Sequence, residues 1–159
     1  MLSRDVKKLY DEKRIDELYK KNEQCFVLID ECSDLFINAG LLDEYQLASS
    51  MDKLSGCYSK LNPICGALEA MLEEYAHDVE HAEYSKLGEK VRTQDCSVVR
   101  TKARSSVGDL RRYASDFSRY CQSANSMIIT AQSRLKRLTV EKGAKGVDRT
   151  GEVPQGWEQ

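Results

Sequence analysis

The sequence predicts an all-α protein, an elongated antiparallel helical bundle or coiled-coil hairpin followed by a flexible C-terminal tail. Three observations carry that expectation. Only 2 prolines and 9 glycines punctuate 159 residues that are 31% charged and 41% hydrophobic, which leaves too few turn formers for a sheet protein and too much apolar material for a disordered chain. Apolar residues recur at alternating intervals of four and three from Leu47 through Met51, Leu54, Tyr58, Leu61, Cys65, Leu68, Leu72, Tyr75 and Val79 to Ala82. The same alternation returns from Ala103 through Val107, Leu110, Ala114, Phe117, Cys121, Ala124, Ile128, Ala131 and Leu135 to Leu138. Such unbroken series are heptad seams, and each corresponds to a helical rod of about 54 Å at 1.5 Å per residue.

The first helix is expected over about 3–38, with Ser3 as its N-cap. Its buried face is broad: Ile15, Leu18, Asn22, Cys25, Ile29, Cys32 and Phe36, thickened by Phe26, Leu28 and Leu35. Asn38-Ala-Gly40 is a stop signal, because glycine supplies the left-handed residue that closes a helix end. The second helix is expected over 43–62 with Asp43 as cap. At Pro63 two structures compete, a kinked continuous helix and a break with Asn62 as N-cap and proline in the first turn. The next helix is placed at 63–87. Gly88 and the polar run to Asp95 provide the following reversal, with Thr93 or Asp95 capping a last helix over 95–142. Residues 1–142 thus form one bundle domain and 143–159 a Gly-rich flexible tail, whose single tryptophan, Trp157, is a candidate anchor for docking a partner.

No apolar run approaches the roughly 20 residues of a membrane span, and the charged N-terminal stretch lacks a secretory signal. The expectation is a cytoplasmic protein with no membrane partner. Six cysteines without a Cys-x-x-Cys pair are then expected to be reduced, with Cys65 and Cys121 packed as small hydrophobes on the two seams.

Catalytic chemistry has little to work with. His77 and His81 are the only histidines; they lie one helical turn apart in a string that matches His-x-x-Glu-His, but five-residue patterns arise easily in a Glu-rich helix, and the seam turns the pair toward the flank. Neither a phosphate-cradling loop nor a dinucleotide fingerprint is present. No catalytic residue, metal, cofactor or small-molecule substrate is expected.

Charge is the informative signal. Residues 1–90 carry 19 acidic and 11 basic side chains, net −8, while the remainder carries a net +6. On the last helix Arg104, Arg111, Arg112 and Arg119 occupy e and f positions beside the seam, with Arg100 extending the strip and Ser115 and Ser118 keeping it open. Arg134, Lys136 and Arg137 form a second cluster, of a kind the helix dipole favours near any C-terminus. A column of arginines on a rigid rod can follow a phosphate backbone without reading sequence. The competing expectation is an interhelical ion-pair face satisfied by the acidic half.

The segment Leu110-Arg-Arg-Tyr113, Asp116-Phe117, Tyr120-Cys121 and Ile128-Ile-Thr-Ala-Gln-Ser-Arg134-Leu-Lys136 resembles the C-terminal helix of phage recombination mediators of the T4 type. That resemblance implies a small, all-helical, non-enzymatic subunit that forms homo-oligomers, binds single-stranded DNA and helps load a recombinase; the heptad seams are the surfaces through which oligomerisation is expected. By position and charge, Arg104, Arg111, Arg112 and Arg119 would be its DNA-contacting set. The alternative is a helical adaptor, assembly or inhibitor protein that acts through protein contacts alone.

Overall fold

The computed structural model describes residues 3–38, 42–87 and 93–148. Among these residues the chain forms five helices and no strand: α1 (Ser3–Asp11), α2 (Asp16–Asn38), α3 (Glu44–Leu87), α4 (Thr93–Ser106) and α5 (Gly108–Asp148). They make a bundle with three legs. The first leg is α1 followed by α2, the second is α3 alone, and the third is α4 followed by α5.

Cross-leg contacts define the directions. Cys65 meets Cys121 and Glu83 meets Lys102, so position numbers rise on α3 as they fall on the third leg, and these two legs are antiparallel. Tyr10 stacks edge-on against Tyr75, while further along the first leg Cys25 meets Cys57, so numbers rise on the first leg as they fall on α3 and these two legs are antiparallel as well. The first and third legs therefore run parallel, with Tyr19 beside Asp116 and Arg134 over Phe36.

The seams supply the core. From Ala103 through Ala124, every seam position of the third leg is buried, with Leu110, Phe117 and Ala124 wholly inaccessible. Their neighbours are Leu54, Leu61, Leu68 and Met71 of α3 and Leu18, Phe26 and Ile29 of α2. A smaller cluster of Leu42, Leu47 and Ala131, flanked by Leu35, Phe36, Met51, Leu135 and Leu138, closes the far end. The helix that each seam needed is thus found in the same chain. The first seam ends early, for Val79 is half-buried and Ala82 exposed.

Several boundaries differ from expectation, each for a local reason. The helix expected over 3–38 is broken at residues 12–15. Lys13 takes a left-handed conformation, φ 57°, while its amide donates to the Tyr10 carbonyl and the Arg14 amide to the Leu9 carbonyl, at 2.9 and 2.8 Å. This pair of bonds is a Schellman closure, normally assigned to glycine, here held by Arg14, whose guanidinium bonds Glu12 and Glu17 at 2.7 Å each. No glycine marks the site, so the sequence carried no stop signal.

Pro63, conversely, lies inside a continuous α3; the break at Asn62 does not occur, and the helices expected at 43–62 and 63–87 are one. Proline removes a single backbone bond, while both flanks stay anchored by Leu61, Ile64 and Cys65, all buried. The helix expected over 95–142 divides at Val107. There Ser106 turns its hydroxyl back to the Ala103 carbonyl at 2.8 Å, a side-chain bond that competes with helix continuation, and Gly108 follows. Its other end lies beyond the expected one. Gly143 and Gly146 cost about 1 kcal/mol each relative to alanine, which does not stop a helix, and α5 continues to Asp148. Residues 149–159 of the expected tail, Trp157 among them, lie outside the described residues.

Asp43 caps α3 as expected. Its carboxylate accepts the Gln46 amide at 2.7 Å and the Gln46 side chain accepts the Asp43 amide at 3.1 Å, a reciprocal capping box.

Two substitutions test this account with opposite uses of glycine. Lys13→Gly removes a strained left-handed lysine and should raise unfolding free energy by about 0.5–1 kcal/mol. Gly56 sits mid-helix with nothing within 4 Å of an added Cβ, so Gly56→Ala should raise it by about 1 kcal/mol. Urea titrations of both variants read the effect; a loss of stability in Lys13→Gly would contradict the turn described above.

Candidate functional site

The third leg presents three faces, and packing assigns each a role. Its seam faces the core. Tyr113 and Tyr120, next to the seam, face α2, where aromatic rings interlock: Tyr19 lies 5.1 Å from Phe117 and 5.6 Å from Tyr113, and Phe26 lies 4.5 Å from Tyr120, centroid to centroid. Such edge and tilted pairs are favourable beyond their burial.

The hydroxyls on these rings settle which groups the acidic residues hold. Tyr113 donates to Asp16 at 3.0 Å, Tyr120 to Asp30 at 3.3 Å, and Tyr19 of α2 donates to Asp116 of α5 at 2.9 Å. A fourth bond of this type joins Tyr75 to Asp11. Carboxylates between the first and third legs are thus occupied by tyrosines rather than by arginines.

The remaining face carries the arginine strip. Arg100 and Arg104 are exposed on α4, and Arg111, Arg112 and Arg119 are exposed on α5. Among the described residues none of the five is in an ion pair with a carboxylate. The ion pairs that do cross between legs, Lys7 with Glu74 at 2.7 Å and Lys102 with Glu83 at 3.0 Å, use lysines. Arg112 lies over the Tyr113 ring at 5.4 Å and Arg119 over the Tyr120 ring at 5.5 Å. Each tyrosine therefore bonds an aspartate through its hydroxyl and supports a guanidinium on its face, with cation–π attraction of about 0.5–1 kcal/mol at an exposed site. Among the described residues the competing expectation, an ion-pair face, does not form.

Beside this strip runs a groove of about 450 Å³ between α3 and α5, lined by Glu69, Leu72, Arg111, Ala114, Ser115, Ser118, Arg119 and Gln122. It connects through Glu69, Ser118 and Gln122 to a second hollow of about 250 Å³ lined by Tyr58, Asn62, Cys65, Gly66, Cys121 and Asn125. Periodicity alone kept Ser115 and Ser118 open but could not bring Glu69, Asn62 or Tyr58 to them, because that juxtaposition depends on the register between two helices distant in sequence.

The second basic cluster is split. Arg134 is half-buried with its guanidinium 5.5 Å from the centre of the Phe36 ring, covering the end of α2, whereas Lys136 and Arg137 are exposed. His77 and His81 stand exposed on α3 with ring centroids 6.5 Å apart, and no trio of His, Cys, Asp or Glu able to hold a metal ion occurs among the described residues. No helix described here is long and apolar enough to cross a membrane. No family model matches the chain, and no curated protein or solved structure matches it.

The tyrosine bonds give stability a definite pH dependence. The bond to Asp11, then burial, pushes Tyr75 up to about 12; burial and then the Asp116 bond raise Tyr19 further. A raised phenol pKa means that the unfolded chain releases its proton first. Its contribution is complete below the ordinary value of about 10 and is lost as pH rises through the folded value. Unfolding free energy should therefore fall between about pH 10 and 12, and less steeply in Tyr75→Phe and Tyr19→Phe than in the parent. Equal slopes in urea titrations across that range would refute the assignment.

Proposed function

We propose that this chain is a non-enzymatic helical accessory protein that binds single-stranded nucleic acid through the arginine ridge of its third leg. One observation carries the reading: Arg100, Arg104, Arg111, Arg112 and Arg119 share an exposed ridge and have no carboxylate ion-pair partner among the described residues, while Asp16, Asp30 and Asp116 accept tyrosine hydroxyls. Guanidinium groups on a stiff helical rod suit a flexible polyanion, because each phosphate contact releases counterions without requiring a base identity. Lys136 and Arg137 extend the basic surface; Arg134 belongs to packing against α2. The resemblance to T4-type recombination mediators fits this role and adds a recombinase-loading partner. Homo-oligomerisation, which the resemblance also implies, would use surfaces other than the seams, since the seams are consumed within the chain.

A second reading, an adaptor acting through protein contacts, draws on Tyr45 and Ile37, which are 81% and 76% exposed on either side of the α2–α3 reversal. Exposed large apolar side chains of this sort are interface anchors when they cluster.

Binding of a labelled single strand across a salt series separates the two. Log affinity should fall with log salt at a slope of about −0.7 per phosphate neutralised. Replacing Arg104, Arg111, Arg112 and Arg119 together by glutamate should abolish binding without loss of helicity, as none of the four has an ion-pair partner among the described residues. Binding that survives the quadruple substitution, or no binding by the parent at low salt, would leave the adaptor reading in its place.

A further inference from the structure

Cys65 on α3 and Cys121 on α5 are both buried, and their sulfurs lie 2.8 Å apart. That separation is only about 0.8 Å beyond a disulfide bond. The pair borders the hollow of about 250 Å³ between the two helices, where Asn62, Glu69, Gln122 and Asn125 provide a polar mouth. A small polar oxidant can therefore reach sulfurs that a bulky one cannot. We propose that Cys65 and Cys121 form a redox site, a dithiol that a hydroperoxide converts to a disulfide linking α3 to α5.

The two sulfurs share one hydrogen bond, in which either can be the donor. That bond and burial push the Cys65 thiol up, while the bond lowers Cys121, a direction that favours Cys121 as the nucleophile. The Cys121 thiolate attacks one peroxide oxygen, the O–O bond breaks, and hydroxide or alkoxide leaves, taking up the proton that Cys121 had released. The product is a sulfenic acid. Cys65 then attacks the Cys121 sulfur, the S–O bond breaks, and hydroxide departs with the Cys65 proton as water. Two thiols lose two electrons and two protons, and hydrogen peroxide is reduced to two waters.

The link would join the two longest helices near their middles and close a loop of more than fifty residues. Restricting the unfolded chain by such a loop should raise the melting temperature by about 10 °C. Of the other cysteines, Cys25 and Cys57 interact across α2 and α3 and are the natural competitors for the same chemistry.

The test uses the full reduced chain and one equivalent of hydrogen peroxide. The expected result is a fall from six free thiols to four, a Cys65–Cys121 linked peptide in a non-reducing digest, and a melting temperature raised by about 10 °C that returns to its original value with a reducing thiol. Cys65→Ala should remove the linked peptide and the thermal shift together. The digest of the parent chain decides the matter even if that variant folds poorly. A Cys25–Cys57 link in its place, sulfinic acid at Cys121, or disulfides only between copies would overturn the proposal. The outcome is independent of nucleic-acid binding.

Discussion

The orientation of α5 about its own axis is the constraint on which the rest of the structure depends. Leu110 and Phe117 are wholly buried, and burying side chains of this size contributes about 1.5–3 kcal/mol each. Rotating the helix by one residue would expose them and press Arg111 or the neighbouring polar positions into the core, where an unpaired guanidinium costs several kcal/mol. With that rotation fixed, Tyr113 and Tyr120 must face α2, and Arg112 and Arg119 must follow on the outer side of those rings. The tyrosines thus link the core to the ridge, since each is packed by the seam, bonded to an aspartate and covered by an arginine.

Because α2 fills only one flank of the α3–α5 pair, the opposite flank remains a groove. A fourth helix on that side would bury Glu69, Arg111, Ser118 and Gln122. Those side chains are suited to water or to a polar ligand, so the same composition that leaves the groove open also discourages an apolar helix from closing it. The ridge and the groove are therefore two consequences of a bundle with three legs and of the polar side chains that α5 carries beside its seam.

The breaks in the legs show local signals yielding to longer-range packing, and sometimes prevailing. Pro63 is the strongest helix breaker among the described residues, yet α3 passes through it because apolar residues on both sides are committed to the same neighbours. Lys13, which has no breaker character, closes α1. The first leg changes course there so that Val6 and Leu9, as well as Ile15 and Leu18, can all be buried, and the closure is held by Arg14 bonding to Glu12 and Glu17. At Val107 the hydroxyl of Ser106 and the following glycine interrupt the backbone while the buried valine keeps the seam in phase.

The sequence by itself determined the helical class, the two long seams, the reversals after Asn38 and Leu87, the cap at Asp43 and the alignment of arginines along one strip. All of these rest on spacing within a single helix or on short-range backbone chemistry, and a linear pattern records both. Tertiary structure alone decided which groups the aspartates would meet. Asp16, Asp30 and Asp116 were as available on paper to guanidinium groups as to phenols, and the parallel placement of α2 beside α5 brought tyrosine hydroxyls to them instead. It likewise decided that Arg134 would lie over Phe36 and that Cys65 would face Cys121. Contacts between residues fifty to a hundred positions apart depend on helix register, which is set by summed packing across whole interfaces, and no local pattern encodes that sum.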